Sequence, residues 1–247
     1  MKSTFYTLLL LCAAFSTFSQ GSQSDNQWSF GLEIFPNSTY EIITNENGAT
    51  TENENFYRNT EKPKFCLSGM GYVSYNLGRR SVLSLGIGYQ NTGYRTTKLP
   101  INYGSEIDPR IGFVTPSSDP DPSLPSDIEI TYNHHSIQFP LFYKFDVTSK
   151  FFIRGGISYI VSVSNNSNAD LYFQSGEKKR ENYSFDNSDY RKMNASGNLG
   201  AGYTYFKSDH STLYAQINVE RFFYSMSSNG FTQRTPVSTG LILGCRF

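Results

Sequence analysis

The sequence lacks the roughly 18 to 20 uninterrupted apolar residues of a membrane-spanning helix. Its longest apolar segment, residues 5–18, is too short to cross a bilayer. Charge is also scarce. Charged residues are 17% of the 247-residue chain, against about 25% in ordinary soluble domains. The 21 Lys and Arg balance 21 Asp and Glu. No global field therefore recruits nucleic acid, and no basic run marks a local patch for it. Trp occurs once and Cys three times. Cys12 follows four leucines rather than the small residue of a lipoprotein cleavage box, which excludes lipidation. Cys66 and Cys245 fall on opposite faces and opposite ends of non-adjacent strand-like runs. No bridge is expected between them, and they read as two small buried apolar residues.

Motifs for chemistry are missing as well. His134 and His135 are adjacent, and adjacent strand residues point to opposite faces. They cannot chelate one ion unless a bulge reorients them. His210 sits in a short turn and reads as solvated. Ser136 lies beside His135, with no nucleophile elbow or other recognisable triad motif. The acidic stretch DPDPSLPSD, residues 119–127, lacks the glycine and terminal Glu of a calcium loop. Its prolines read as a stiff extended segment. The expectation is no enzyme, no cofactor and no metal.

What is abundant points to strands. Aromatics are 16% of the chain, with 18 Tyr and 20 Phe beside 20 Gly, a composition suited to strands and interfacial belts. The N-terminus reads as a secretory signal over residues 1–19. Lys2 is its positive region, 5–18 its apolar core, and Thr17-Phe18-Ser19 its small-x-small site, so the mature chain starts near Gln20. The rest, 20–247, reads as a single domain.

Eight strand-like runs follow, at 28–36, 65–77, 82–94, a fourth that ends in 136–145, and then 151–164, 193–206, 212–224 and 236–247. Their connections alternate. The polar segments 37–64, 95–127, 165–191 and the shorter 225–234 have too little apolar surface for a core of their own. The turns 78–80, 146–150 and 207–210 are short. Within the runs, apolar residues recur with period two. Leu83, Leu85, Ile87 and Tyr89 oppose Ser84, Gly86, Gly88 and Gln90. Phe151, Ile153, Ile157 and Tyr159 oppose Phe152, Arg154, Gly156 and Ser158. Such alternation over many segments is a strong strand signal. In the fourth run the parity switches between Tyr132 and Ile137, which suggests a bulge there or a strand extending beyond the membrane.

Residue type chooses the inner face. One face is rich in Gly, Ser and Asn, and the other is apolar with Tyr and Phe near strand ends. A closed ring of about eight strands has room inside only for side chains, which small residues and a few long polar ones would fill. An apolar exterior with aromatic girdles is the pattern of outer-membrane barrels. A soluble lipocalin-like barrel binding an apolar ligand would instead show a Lys- and Glu-rich outer face. The expected fold is all-β: a closed, antiparallel, up-and-down transmembrane barrel of about eight strands. Short turns would lie in the periplasm and long loops outside, with lipid around the barrel. Partners in the envelope would meet the loops.

The expected inward charges are Glu33, Lys144, Arg154, Glu220 and Arg246. In so narrow a lumen an unpaired charge is costly, so these should pair across the barrel. Glu33 and Arg154 lie at comparable heights by strand direction and are the expected pair. Phe247 ends an amphipathic last run, as a signal for the barrel-assembly machinery would.

SIQFPLFYKFDVTSKFFIRGGISYIVSVSN resembles the corresponding segment of the PorT-type outer-membrane β-barrel family of Bacteroidota, through Ile137, Pro140, Lys144, Phe145, Gly155, Gly156 and Tyr159. LSLGIGYQNTGYR resembles that family's second hairpin, and STGLILGCRF its terminal strand. The resemblance covers residues 28–247 and implies an outer-membrane barrel. The founding type is associated with secretion through the outer membrane. Four roles stay open: a non-enzymatic anchor, loop display or assembly subunit; a small passive channel; a barrel enzyme using His135 or Ser136; a soluble secreted barrel.

Overall fold

The computed structural model describes residues 27–45, 51–101, 107–108, 112–113, 123–184, 190–208, 211–226 and 232–247. The expected signal segment with Cys12, His210, and residues 119–122 of the acidic stretch lie outside the described residues.

Eight long strands form an antiparallel ring: β1 (Trp28–Asn45), β2 (Glu61–Asn76), β3 (Ser81–Thr92), β8 (Pro125–Asp146), β9 (Phe151–Phe173), β11 (Met193–Lys207), β12 (Thr212–Phe222) and β13 (Thr232–Arg246). The seam is β8 against β9, which pair from Pro125↔Phe173 down to Asp146↔Phe152. The ring is therefore closed and leaves no strand edge to face lipid, where an unpaired backbone group costs several kcal/mol. Short elements decorate the outer end: α1 (Thr51–Thr60), β4 (Tyr94–Thr96), β5 (Leu99–Pro100), the β6 (Ile107–Asp108) and β7 (Gly112–Phe113) pair, and β10 (Lys178–Ser184). β10 folds back on the top of β9.

The alternation sorts residues as the sequence implied. Leu85, Ile87, Leu141, Ile153, Ile157, Leu199 and Ile217 are exposed on the outside, where the bilayer covers them. Trp28, Phe30, Tyr143, Phe151 and Tyr205 ring the periplasmic end, and Tyr40, Tyr89, Tyr159 and Phe223 the outer end, as interfacial girdles do. Cys66 is buried inside and Cys245 sits on the outer face, and no disulfide joins them.

The inside is less uniformly small than the sequence suggested. Phe35, Tyr72, Phe142, Phe152 and Tyr214 all point into the lumen. Each of four rings lies over a glycine directly across the ladder: Tyr72 over Gly31, Phe142 over Gly156, Phe152 over Gly202 and Tyr214 over Gly244. A Cβ on Gly202 would stand 2.2 Å from Phe152 Cζ. The lumenal glycines are thus the spaces into which the rings fit.

The strands run further than the sequence reading placed them. β1 continues past Pro36 to Asn45, and β9 reaches Phe173. Pro36 only lacks a donor, and β1 keeps one register with β13 on both sides of it. Much of the connections 37–64 and 165–191 is therefore paired strand or helix rather than bare loop. The parity change in β8 is no bulge of β8. Its odd residues face outward throughout, apolar from Phe145 up to Ile137 and polar from His135 up to Asp127. The bulge is in β9, where His135 pairs Ser164 but Ser136 pairs Ser162, leaving Val163 extra. One extra residue exchanges the faces of a strand. Below it Phe152, Arg154, Ser158 and Ile160 are buried; above it Asn165, Ser167 and Ala169 are. Both strands thus turn polar outward at one level, which marks the outer surface of the bilayer.

Gly202→Leu should cost about 1–3 kcal/mol by overpacking against Phe152. Gly155→Ala should be neutral, since its Cβ would meet nothing nearer than Leu199 at 3.5 Å. The urea midpoint of the heat-modifiable gel band measures both. Equal effects would contradict the ring-over-glycine packing.

Candidate functional site: the polar rungs of the lumen

Glu33 on β1 and Arg154 on β9 stand on opposite walls, four strands apart either way around the ring. Both are buried. Arg154 Nη2 donates to Glu33 Oε2 at 3.0 Å, and Nη1 donates to Oε1. The guanidinium also lies on the Phe142 ring, 4.5 Å from its centroid. The Tyr214 hydroxyl donates to Glu33 Oε1. With that proton committed, Tyr214 accepts from the Tyr72 hydroxyl at 2.9 Å. Four strands are tied to one carboxylate. A bidentate, planar contact of this kind suits Arg and not Lys.

A second rung lies above it. Glu220 on β12 is buried and accepts from Gln90 Nε2 of β3 at 2.7 Å and from Ser196 Oγ of β11 at 2.5 Å. β3 faces β12 across the ring, so this contact also spans the lumen. The sequence reading expected Glu220 to meet a cation. It meets neutral donors instead, an amide and a hydroxyl that supply the hydrogen bonds a buried carboxylate needs.

A third rung closes the outer mouth. The Glu41 carboxylate, 1% exposed, lies 3.5 Å from His134 Nε2 and 3.5 Å from Arg234 Nη1. Arg234 Nη1 also holds Glu61 Oε1 at 2.5 Å and lies over the Tyr94 ring. Burial pushes the Glu61 carboxyl up against the pull of Arg234. His134 Nδ1 bonds Asn165 Oδ1 at 2.9 Å. The sequence reading missed this rung because it ended the first run at Pro36 and assigned Glu41, Glu61 and Arg234 to loops. The adjacent His135 points outward to the Tyr89 hydroxyl. It therefore does not share a face with His134, nor with the inward Ser136.

Lys144 and Arg246 lie at the periplasmic mouth. Lys144 pairs with Asp146 of its own strand at 2.9 Å and lies over Phe152, rather than pairing across the barrel. Among the described residues no ion pair joins Arg246. Both are partly exposed, so water supplies what the expected cross-lumen partner would have. Phe247 closes the last strand through reciprocal backbone bonds with Phe30.

Between the first two rungs a cavity of about 20 Å³ remains, bounded by Glu33, Arg154, Asn198 and Glu220. A water needs about 10–15 Å³ on this measure. Arg154 Nε and Asn198 Oδ1 are buried there without partners, a donor and an acceptor that one water would satisfy. The two rungs cross the lumen on either side of this cavity. Among the described residues no group of His, Cys, Asp and Glu is arranged to hold a metal ion.

The family described as "Outer membrane protein beta-barrel domain" matches residues 18–225. The chain belongs to this family. Its place is therefore the outer membrane. No curated protein sequence matches it. Solved structures similar in shape include Ail, the attachment invasion locus protein of Yersinia pestis, at 8% identity and TM-score 0.38, covering 90% of this chain and 99% of that one. Neisserial surface protein A follows at 9% identity and TM-score 0.37, covering 91% and 98%. The outer membrane protease OmpT of Escherichia coli is similar at 10% identity and TM-score 0.42, covering 93% and 99%.

Removing either partner of the first rung should cost roughly 3–5 kcal/mol, because the other charge is stranded. Glu33→Ala and Arg154→Ala should therefore both lower the unfolding midpoint in detergent, and Glu33→Met with Arg154→Met together should recover most of the loss. Glu33→Ala leaving stability unchanged while Arg154→Ala lowers it would contradict the pairing.

Proposed function

We propose that the protein is a non-enzymatic outer-membrane barrel, a membrane anchor that displays an extracellular sheet or joins a larger envelope or secretion assembly. The carrying observation is the crossed lumen. Two rungs span it, and the cavity between them is about 20 Å³. Transport of a solute is not what such an interior is built for.

What projects outward supports display. Above the Val163 bulge, β9 rises about 30 Å along its own axis, flanked by β8 and β10. Its outer face is held by ion pairs. Arg180 and Lys178 both contact Asp170, and their hydrogen bonds hold its carboxyl down at about 2. Lys98 and Lys178 lie over the Tyr172 ring at 4.6 and 5.1 Å. A stiff polar sheet on a closed barrel is a platform that positions surface groups.

In this reading residues 1–19 are an export signal removed before Gln20, and Phe247 marks the last strand for the assembly machinery. The PorT-type resemblance would place such a barrel in a Bacteroidota outer membrane. In intact cells a membrane-impermeant maleimide should label Ser175→Cys at the β9–β10 tip. It should label Ser149→Cys, in a short turn, only after the outer membrane is permeabilised. The reverse pattern would overturn the display reading.

A further inference from the structure

The three short turns share a chemistry that neither the lumen nor the projecting sheet uses. Arg79 and Arg80 form the tip between β2 and β3, Lys150 ends the turn before β9, and Lys207 is the last residue of β11 before the turn to β12. All four are exposed, and among the described residues none is joined to a carboxylate. The nearby Asp146 is taken by Lys144 at 2.9 Å. The third turn carries Asp209 in its sequence, and Arg246 adds a cation at the mouth. The outer side has the opposite balance. Each of the connections 37–64, 95–127 and 165–191 carries more carboxylates than cations. Within a chain of zero formal charge, the short turns and these long connections thus differ in sign in the sequence.

We propose that this periplasmic rim is a docking surface for the phosphate headgroups of anionic phospholipids in the inner leaflet. Depth selects this occupant. The turns are too short to reach beyond the headgroup layer, and the cations sit directly under the aromatic girdle. Lys150 Nζ is 6.0 Å from the Tyr203 ring centroid, and Tyr203 packs on Phe151 at 5.0 Å. Trp28 packs on Tyr75 at 4.8 Å beside the Arg79–Arg80 tip. Rings of this kind lie at the level of the headgroups. A cation held at that level attracts an anionic lipid about fivefold over a zwitterionic one. An acidic periplasmic protein would need cations that project into its own space.

The test uses the full-length folded protein in nonionic micelles containing equal phosphatidylcholine and phosphatidylglycerol, repurified and analysed for bound lipid. The retained phosphatidylglycerol should exceed phosphatidylcholine by at least about fivefold. Changing Arg79, Arg80, Lys150 and Lys207 together to Gln should bring the ratio back to that of the input. Arg79→Gln or Lys150→Gln alone should lower it in part. Lys178→Gln with Lys179→Gln and Arg180→Gln, on the outer sheet, should leave it unchanged. Heat-modifiable migration shows that each variant is folded. Absence of enrichment in the natural chain would overturn the proposal, as would loss of enrichment in the outer-sheet variant alone. Binding of a polyglutamate peptide without lipid enrichment would also overturn it, and would assign the rim to an acidic protein.

Discussion

The closure of the backbone ladder between β8 and β9 is the constraint on which the rest depends. Within a bilayer an open sheet edge has no partner, so the eight strands must meet. Closing so few strands fixes a lumen about as wide as side chains can fill, and too wide to be left empty. Side chains must therefore fill it, and any charge among them must find a partner inside. Glycine facing an aromatic ring across the ladder solves the first problem at four places. The reach of Arg154 to Glu33 solves the second. It also joins opposite walls, so a side-chain contact reinforces what the backbone pairing began.

The same closure explains where the barrel changes character. Inside the bilayer, apolar residues face out and polar ones face in. Above it both strands of the seam keep their pairing but present polar residues to the outside, with Ile130 and Tyr132 turned inward on β8. β8 achieves this by residue type alone. β9 uses the extra residue Val163 to exchange its faces. The outer sheet is thus built from the transmembrane strands themselves. It inherits their rigidity, which a separate loop would not. Charge follows the same axis, with cations concentrated at the short turns and carboxylates prevailing in the long connections.

The transmembrane part was legible because alternation under lipid is strict, and all eight runs lie on ring strands. Strand length was not legible. The apolar pattern stops at Pro36 and Ser164, and the legible strands with it, whereas backbone pairing is indifferent to that change of polarity. Glu33 and Arg154 could be named because each is a lone charge at an inward position of an apolar run. Tyr72, Tyr214 and Gln90 could not. An inward Tyr carries the same sequence signal as an outward girdle Tyr, and only the cross-ladder register reveals the glycine that makes room for it. Glu41, His134 and Arg234 went unseen for a different reason. They meet across β1, β8 and β13, and two of the three lie in segments that composition marks as loop.

The central claim is that the lumen is filled and crossed by its own side chains. Recording from the purified, folded protein in a planar bilayer tests it most directly. The account predicts a silent membrane under applied voltage. Reproducible stepwise conductance from heat-modifiable protein would contradict it.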